Sequence, residues 1–195
     1  MATTSNSASK RNDLKALIKE QGCFSDGPYK LSSGGTSDFY FDLRRVTMDP
    51  KGAALISELV LERLKDVAKV VAVGGMESGA IPIATAIALT SHNKSHNKSQ
   101  NKSRNYRAFF VRKTQKNHGR ERMVEGQIQE GDVVAFVDDV TTSGESVLSG
   151  IAAVKDLGCN VAKVISVLDR ETGAEKLITE KGYEFEALFR ASEFK

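Results

Sequence analysis

The sequence predicts an α/β fold in which a central, mostly parallel sheet carries helices on both of its faces. Short runs made almost entirely of apolar residues recur along the chain, and stretches with a helical spacing of apolar residues separate them. Strands covered on both faces have continuous apolar runs, whereas strands with one wet face alternate apolar and polar residues. A region with several glycines precedes these runs, and we expect a small N-terminal subdomain there, which is called the hood below.

The N-terminal third of the chain contributes two predicted helices and the hood. Residues 1–10 are polar, so we expect a frayed tail there, followed by a helix over residues 12–19 where apolar residues have helical spacing. Residues 24–40 contain Gly-Pro and Gly-Gly pairs, which are typical of loops around a short strand. A longer amphipathic helix is predicted from Asp49, a suitable N-cap, and Pro50, which suits a first helical turn.

Four apolar strands and two further helices are predicted in the rest of the chain. The strands cover residues 67–73, 106–111, 132–137 and 161–168, and the helices cover residues 81–89 and 144–157. Polar residues follow three of these strands directly, in residues 74–79, 138–146 and 169–170. Because the carboxyl ends of parallel strands meet at one edge of the sheet, where ligands bind in such folds, these segments are predicted to line one crevice.

The bulk composition excludes several classes of protein. The chain has 195 residues, which suits one domain over residues 1–195. Its net charge of +3 is concentrated in residues 91–105, so the rest is close to neutral and we predict no nucleic-acid partner. The two cysteines form no metal-binding pattern, and no apolar run reaches the roughly 18 residues of a membrane span. We therefore expect a cytoplasmic protein without membrane contacts.

Residues 91–105 repeat the tetrapeptide SHNK and contain no hydrophobic residue. Such a segment cannot bury enough apolar area to offset the entropy lost on ordering. We predict a low-complexity surface insertion between a helix and a strand rather than a binding element. His92 and His96 leave a metal site open as an alternative, for which their spacing alone is weak evidence.

Residues 133–146 carry the most specific chemistry in the sequence. Five apolar residues run into Asp138 and Asp139, followed by hydroxyl residues, Gly144 and a predicted helix. The free N–H groups and the macrodipole of a helix N-terminus favour an anion, and a glycine lets that anion approach closely. The carboxylates suit a ribose diol or the magnesium that accompanies a pyrophosphate, and the alternative is a helix cap or a solvated turn. A P-loop would need a lysine after the glycine, and none is present.

The strand and the segment DDVTTSGES resemble the signature of type I phosphoribosyltransferases that binds 5-phosphoribosyl 1-pyrophosphate (PRPP). Further blocks resemble the orotate phosphoribosyltransferase family: SSGGTSDFYFDLRRV (32–46), GGMESGAIPIATAIA (74–88), RKTQKNHGRERMVEG (112–126) and LDRETG (168–173). The resemblance covers most of the chain except the tail and residues 91–105. It implies transfer of phosphoribosyl from PRPP to orotate in pyrimidine synthesis, with Mg²⁺ as cofactor, in a homodimer with shared active sites.

The resemblance also implies roles for individual residues. Orotate is implied to be held by Thr142 and by the guanidinium of Arg170, which suits a planar carboxylate. No direct protein ligand of the magnesium is predicted. The residues implied to bind PRPP are Arg112, Lys113, Lys116, His118, Asp138, Asp139, Val140, Thr141, Thr142, Ser143, Gly144, Glu145 and Ser146. Those implied to be catalytic are Lys116, His118, Asp138 and Asp139.

The loop over residues 112–125 is rich in cations, and such a loop can stabilise charge on a leaving pyrophosphate and exclude water. Taken alone it could also be a solvated basic loop, and Arg170 could belong to a surface turn. Some relatives carry lysines at the positions of Ser32 and Gly79, and we expect Arg44 or Arg45 to supply that missing charge.

Three other functions remain open from the sequence. A phosphoribosyltransferase for a purine base would keep the PRPP pocket but would not need a carboxylate clamp. A PRPP or nucleotide sensor would keep the fold without turnover, and a nucleic-acid binder would depend on the basic insertion. Tyr40 and Phe41 either form a wall of the base pocket or belong to the core.

Overall fold

A six-stranded sheet lies at the centre of the computed structural model, which describes residues 2–30, 36–96, 104–114 and 123–194. The sheet has the strand order β5-β4-β3-β6-β7-β8, and all of its neighbouring strands are parallel except the β4–β5 pair. Its strands are β3 (Val70–Met76), β4 (Arg107–Val111), β5 (Val124–Gly126), β6 (Val133–Thr141), β7 (Asn160–Asp169) and β8 (Phe185–Arg190). The predicted α/β fold with a mostly parallel sheet is confirmed.

The remaining elements surround this sheet. Strands β1 (Phe24–Lys30) and β2 (Thr36–Phe41) form a separate antiparallel sheet in the region predicted as the hood. The helices are α1 (Ala2–Glu20), α2 (Arg44–Thr47), α3 (Pro50–Leu64), α4 (Ala80–His96), α5 (Glu145–Asp156) and α6 (Ala174–Glu180), and a 3₁₀ turn covers Ala191–Glu193. Helix α3 begins as predicted, since the Asp49 carboxylate accepts the Gly52 N–H at 2.8 Å.

The sheet is buried on both faces because successive residues of its strands point to opposite sides. On β6, Ala135 and Val137 pack into a core with α1, α3 and α4, whereas Val134 and Phe136 pack against α5 and α6. Both layers of helices therefore need apolar side chains from the same strand, which explains its unbroken apolar run. Within the described part of the chain, no helix combines the length and apolar character needed to cross a bilayer.

The prediction of a frayed polar tail over residues 1–10 is wrong, because helix α1 begins at Ala2. Ion pairs anchor this helix: Lys10 Nζ lies 2.8 Å from a carboxylate oxygen of Glu58 and 3.2 Å from one of Glu62, both on α3. Arg11 pairs with Glu193 at 2.7 Å. These partners are distant in sequence, so the local polar composition did not reveal a helix.

The first six residues of the insertion predicted for residues 91–105 belong to helix α4, which continues to His96. Ser91 is buried, and its Oγ accepts the Tyr106 N–H at 3.1 Å and donates to the Ala88 carbonyl at 2.8 Å. The repeat is therefore partly helix, and its first residue holds the start of the next strand. Residues 97–103 of the predicted insertion lie outside the described residues.

We expect Ser91→Ala to destabilise the protein by about 1–3 kcal/mol, because it leaves the buried Tyr106 N–H without its hydrogen-bond acceptor. Thermal and urea unfolding would measure the loss. The exposed Asn93→Ala is the matched control and should change stability by no more than about 0.5 kcal/mol. Equal losses of stability in Ser91→Ala and Asn93→Ala would refute the anchoring role of Ser91.

Replacing residues 97–103 with a short Gly/Ser turn is predicted to leave the stability of the protein unchanged.

Candidate functional site

A cavity of about 710 Å³ opens at the carboxyl edge of the sheet. Residues that follow β3, β6 and β7 line it, together with the end of β2. The predicted convergence of three strand ends is therefore confirmed for residues 76–79, for Arg170, and for residues 138–146 except Thr141 and Gly144. Gly74 and Gly75 were also predicted to line the crevice, but they are buried within β3 and do not line the cavity.

Asp138 and Asp139 lie at the floor of this cavity, inside β6 rather than after it. The strand extends to Thr141 because it pairs with β7 over this stretch, with Asp138 opposite Ser166. Burial, together with the neighbouring Asp139 charge, raises the pKa of Asp138, and burial also raises the pKa of Asp139. The two acids do not cap a helix, because the N-cap of α5 is Gly144.

The N-terminus of α5 forms one wall of the cavity. Gly144 takes the left-handed conformation there (φ +86°), which a glycine adopts without strain and which turns the chain sharply from β6 into α5. Thr142, Ser143 and Ser146 line the cavity beside the helix end. Free N–H groups at a helix N-terminus, with hydroxyls next to them, form a suitable cradle for a phosphate.

Thr141 differs from the other predicted hydroxyls, because it is buried and does not line the cavity. Its Oγ lies 3.3 Å from the Asp138 carboxylate and 2.8 Å from Ser166 Oγ. Because its hydroxyl is buried and bonded to Asp138 and Ser166, we infer that Thr141 orients Asp138 rather than presenting its hydroxyl to a ligand.

Arg170 also lines the cavity and is only 6% exposed. Its N–H donates to the Thr141 carbonyl at 2.9 Å, and Thr172 Oγ donates to the Thr142 carbonyl at 2.8 Å. These bonds tie the turn after β7 to the end of β6. Burial lowers the pKa of the Arg170 guanidinium, whereas Tyr40 on the cavity wall acts to raise it. The burial of this cation excludes the alternative of a solvated surface turn.

Comparisons with known proteins agree with this geometry. An orotate phosphoribosyltransferase of Rhodopseudomonas palustris (strain TIE-1) is 43% identical to this chain over an alignment 195 positions long. The alignment covers 97% of this chain and 98% of the relative. The chain belongs to the orotate phosphoribosyltransferase family. The enzyme of that name from Methanocaldococcus jannaschii is 34% identical over 94% of this chain and 96% of its own. No family model matches the chain.

Solved structures of the family support the same assignment. The crystal structure of the Mycobacterium tuberculosis H37Rv orotate phosphoribosyltransferase in complex with PRPP has a TM-score of 0.73 and 34% sequence identity. The match covers 94% of this chain and 98% of that chain. The fold around the cavity is therefore the fold of a family member that binds PRPP.

The basic loop of the family resemblance is described only at its two ends. Lys113 lines the cavity, and its N–H donates to a carboxylate oxygen of Glu77 at 2.8 Å. Arg112 does not line the cavity; its Nε lies 3.1 Å from a Glu125 carboxylate oxygen, and its guanidinium stacks on the Phe110 ring. This pair joins the two ends of the loop. Lys116 and His118 lie outside the described residues.

The glycine found where some family members carry a lysine has a steric explanation. A Cβ atom on Gly79 would lie 2.2 Å from a carboxylate oxygen of Asp139. Any side chain at Gly79 would therefore push the Asp139 carboxylate away from its position on the cavity floor. Ser32, the other position without a lysine, lies outside the described residues.

Of the two candidate arginines, Arg44 faces the cavity. Its guanidinium donates to both carboxylate oxygens of Asp42, at 2.8 and 2.9 Å, and these bonds raise the pKa of Arg44 and lower that of Asp42. Arg45 instead lies beside Gly22. Tyr40 and Phe41 both line the cavity, as predicted for residues that form a wall of the base pocket. Phe41 is also buried in the core, whereas Tyr40 is exposed.

Sequence reasoning missed Asp42 as a cavity residue, and it placed Glu77 and Ser78 in a crevice segment without giving either a role. Asp42 and Glu77 act through the residues they hold, Arg44 and Lys113. A signal for Asp42 was present, because an acid two residues before an arginine in DLRR can orient that arginine. The role of Glu77 had no such signal, since Lys113 is distant in sequence.

Proposed function

We propose that this chain catalyses the displacement of pyrophosphate from the anomeric carbon of PRPP by N1 of orotate, which gives orotidine 5′-phosphate. The observation that carries the proposal is one cavity that combines an anion cradle, a buried and a half-buried carboxylate, and a buried guanidinium. The cradle at Thr142, Ser143 and Ser146 suits the 5′-phosphate, and the carboxylates of Asp138 and Asp139 suit the ribose hydroxyls. Arg170 and Thr142 suit the orotate carboxylate.

The rate enhancement proposed here comes from position and electrostatics. Orotate is already a good nucleophile as its anion, so no strong general base is required. Two fixed carboxylates stabilise positive charge that develops on the ribose in an oxocarbenium-like transition state. Lys113 at the cavity wall, with Lys116 and His118 on the loop, would stabilise the departing pyrophosphate. Arg112 would hold the base of that loop through Glu125.

The donor set of the cavity fits Mg²⁺. A hard cation of this size prefers oxygen ligands and keeps several waters, and it is held by substrate phosphates together with one or two carboxylates. The buried Asp138 and the half-buried Asp139 supply carboxylate oxygens to the lining of the cavity. When bound, Mg²⁺ would neutralise charge on the pyrophosphate. We propose that Asp138 and Asp139 act mainly through the ribose and metal-bound water rather than as direct metal ligands.

We further propose that residues 1–195 form one domain of a cytoplasmic homodimer with shared active sites. The sequence resemblance supports this proposal, and light scattering of the purified protein would test the dimer.

The test of the main proposal is to mix the purified protein with PRPP, Mg²⁺ and orotate and to follow the loss of orotate absorbance. The expected result is turnover that needs all three components. Parallel reactions with hypoxanthine and uracil separate the rival activities, because a purine enzyme does not need Arg170. Turnover of hypoxanthine without orotate turnover would overturn the proposed substrate, and binding of PRPP without any turnover would indicate a sensor.

Lys116→Ala is expected to lower kcat more than it raises KM for PRPP. A loop that closes over the substrate contributes mainly after charge has developed on the leaving group, so its cation acts on the transition state. Loss of one such donor typically lowers kcat by about 10²–10³. Steady-state kinetics would measure both constants, with the exposed Lys65→Ala as the control. An unchanged kcat would remove Lys116 from the mechanism.

A further inference from the structure

The repeat of residues 91–105 brings two imidazoles together on a helix. His92 and His96 are one turn apart on α4, both are exposed, and their ring centroids are 4.1 Å apart. Residues four apart on a helix lie on the same face, one above the other. Both histidines therefore lie on one helical face at the described start of the repeat.

A hydrogen bond sets the proton of one ring. His96 Nδ1 lies 3.0 Å from the His92 carbonyl oxygen, and Ser95 Oγ lies 3.1 Å from the same nitrogen. Because a carbonyl oxygen only accepts, we assign the proton of the neutral His96 ring to Nδ1, which leaves the Nε2 lone pair of His96 available. Metal-binding histidines are oriented in this way, with the second ring nitrogen donating to a carbonyl or carboxylate.

We propose that His92 and His96 form a two-imidazole site for a transition metal such as Ni²⁺, Cu²⁺ or Zn²⁺. Imidazole nitrogens suit these ions, whereas Mg²⁺ prefers oxygen. Two nitrogens at bond lengths of about 2.0–2.1 Å around one ion lie roughly 3.3 Å apart, which rings at this separation reach by small rotations. Lys94 lies between them in sequence, and its Nζ is 3.8 Å from a carboxylate oxygen of Glu58. This ion pair partly neutralises the charge of Lys94.

The site is separate from the proposed active site. Helix α4 begins at Ala80 beside the cavity, and the two histidines lie at its other end, roughly 20 Å away at 1.5 Å per residue. Within the described residues, no group of three or more His, Cys, Asp and Glu side chains could hold a metal. The two imidazoles therefore leave the other coordination positions to water.

The experiment is a calorimetric titration of the untagged, full-length protein with NiCl₂ in the presence of excess Mg²⁺. We expect one Ni²⁺ per chain. His92→Ala and His96→Ala should each weaken binding at least about 10-fold, because loss of even an outer partner of a metal ligand costs that much. His118→Ala is the matched control: the chain has three histidines, and this one lies outside the pair. The two cysteines are buried and do not compete.

A second variant tests the geometry rather than the number of imidazoles. Asn93→His combined with His96→Ala keeps two histidines in the helix but puts them at adjacent positions, which point about 100° apart. This variant should bind Ni²⁺ as weakly as the single alanine variants. If it binds as tightly as the wild type, or if the wild type binds no more tightly than the His92→Ala/His96→Ala double variant, the proposal is overturned.

Discussion

Arg170→Ala should abolish measurable turnover of orotate while PRPP binding remains nearly intact. The buried guanidinium is proposed to hold the orotate carboxylate, whereas the anion cradle after β6 and the basic loop hold PRPP. A site built around a polar substrate group rejects an analogue without that group by a factor on the order of 10⁴. Uracil lacks the carboxylate, so the wild type should discriminate against it by about that factor. Turnover of both bases and calorimetric PRPP affinity would measure these effects.

Two controls separate recognition from folding. Arg170→Lys keeps the charge but loses the planar fork of donors, so it should restore little of the orotate turnover. Burial already disfavours the charged form of Arg170, so Arg170→Ala should not lower the melting temperature of the free protein substantially. Orotate turnover that survives in Arg170→Ala would contradict the clamp, although the PRPP cradle would stand. A collapsed melting transition would instead indicate a structural role for the arginine.

Asp139→Asn is expected to lower kcat/KM for PRPP by about 100-fold or more, since it removes one of the two carboxylates proposed to orient the ribose and the magnesium-bound water. The variant should not be less stable than the wild type above neutral pH. Steady-state kinetics and thermal unfolding at several pH values would measure the two effects. Asp156→Asn, an exposed aspartate on α5, is the matched control and should change neither.

The sign of the pH effect follows from the pKa shifts. Burial raises the pKa of both Asp138 and Asp139, so the folded protein binds protons more tightly than the unfolded chain. Their contribution to stability is therefore fully present below the ordinary aspartate pKa of about 3.9, and it is lost as the pH rises through the raised values. Asp139→Asn has no carboxyl group to ionise at this position, so it avoids part of that loss of stability. Its melting temperature should therefore rise relative to that of the wild type at alkaline pH. A variant that loses stability most at high pH would contradict the raised pKa.

The same shifts connect stability with activity. PRPP binding is proposed to use the ionised carboxylates, whereas burial and mutual repulsion disfavour ionisation of the pair in the free enzyme. The ribose and the magnesium would relieve that cost. PRPP with Mg²⁺ should therefore stabilise the wild type more than Asp139→Asn, because a ligand that binds only the folded state shifts unfolding by mass action.

The sequence determined the layered fold and the location of the cavity. Fully apolar strands such as residues 132–137 require cover on both faces, and polar segments after such strands must meet at one edge of a parallel sheet. Asp138, Asp139 and Arg170 were found in this way, because their position relative to an apolar run is a local property of the chain. The N-cap at Asp49 was predicted for the same reason.

Only the tertiary structure decided how side chains point beyond the strand ends. Pairing with β7 extends β6 to Thr141, which is buried, and the distant carboxylate of Glu77 holds the Lys113 N–H beside the cavity. The helical start of the SHNK repeat likewise has a partner distant in sequence, since Ser91 Oγ accepts the Tyr106 N–H. Local pattern encodes the periodicity of an element, but its end and its side-chain directions depend on hydrogen bonds and ion pairs with residues far away in sequence.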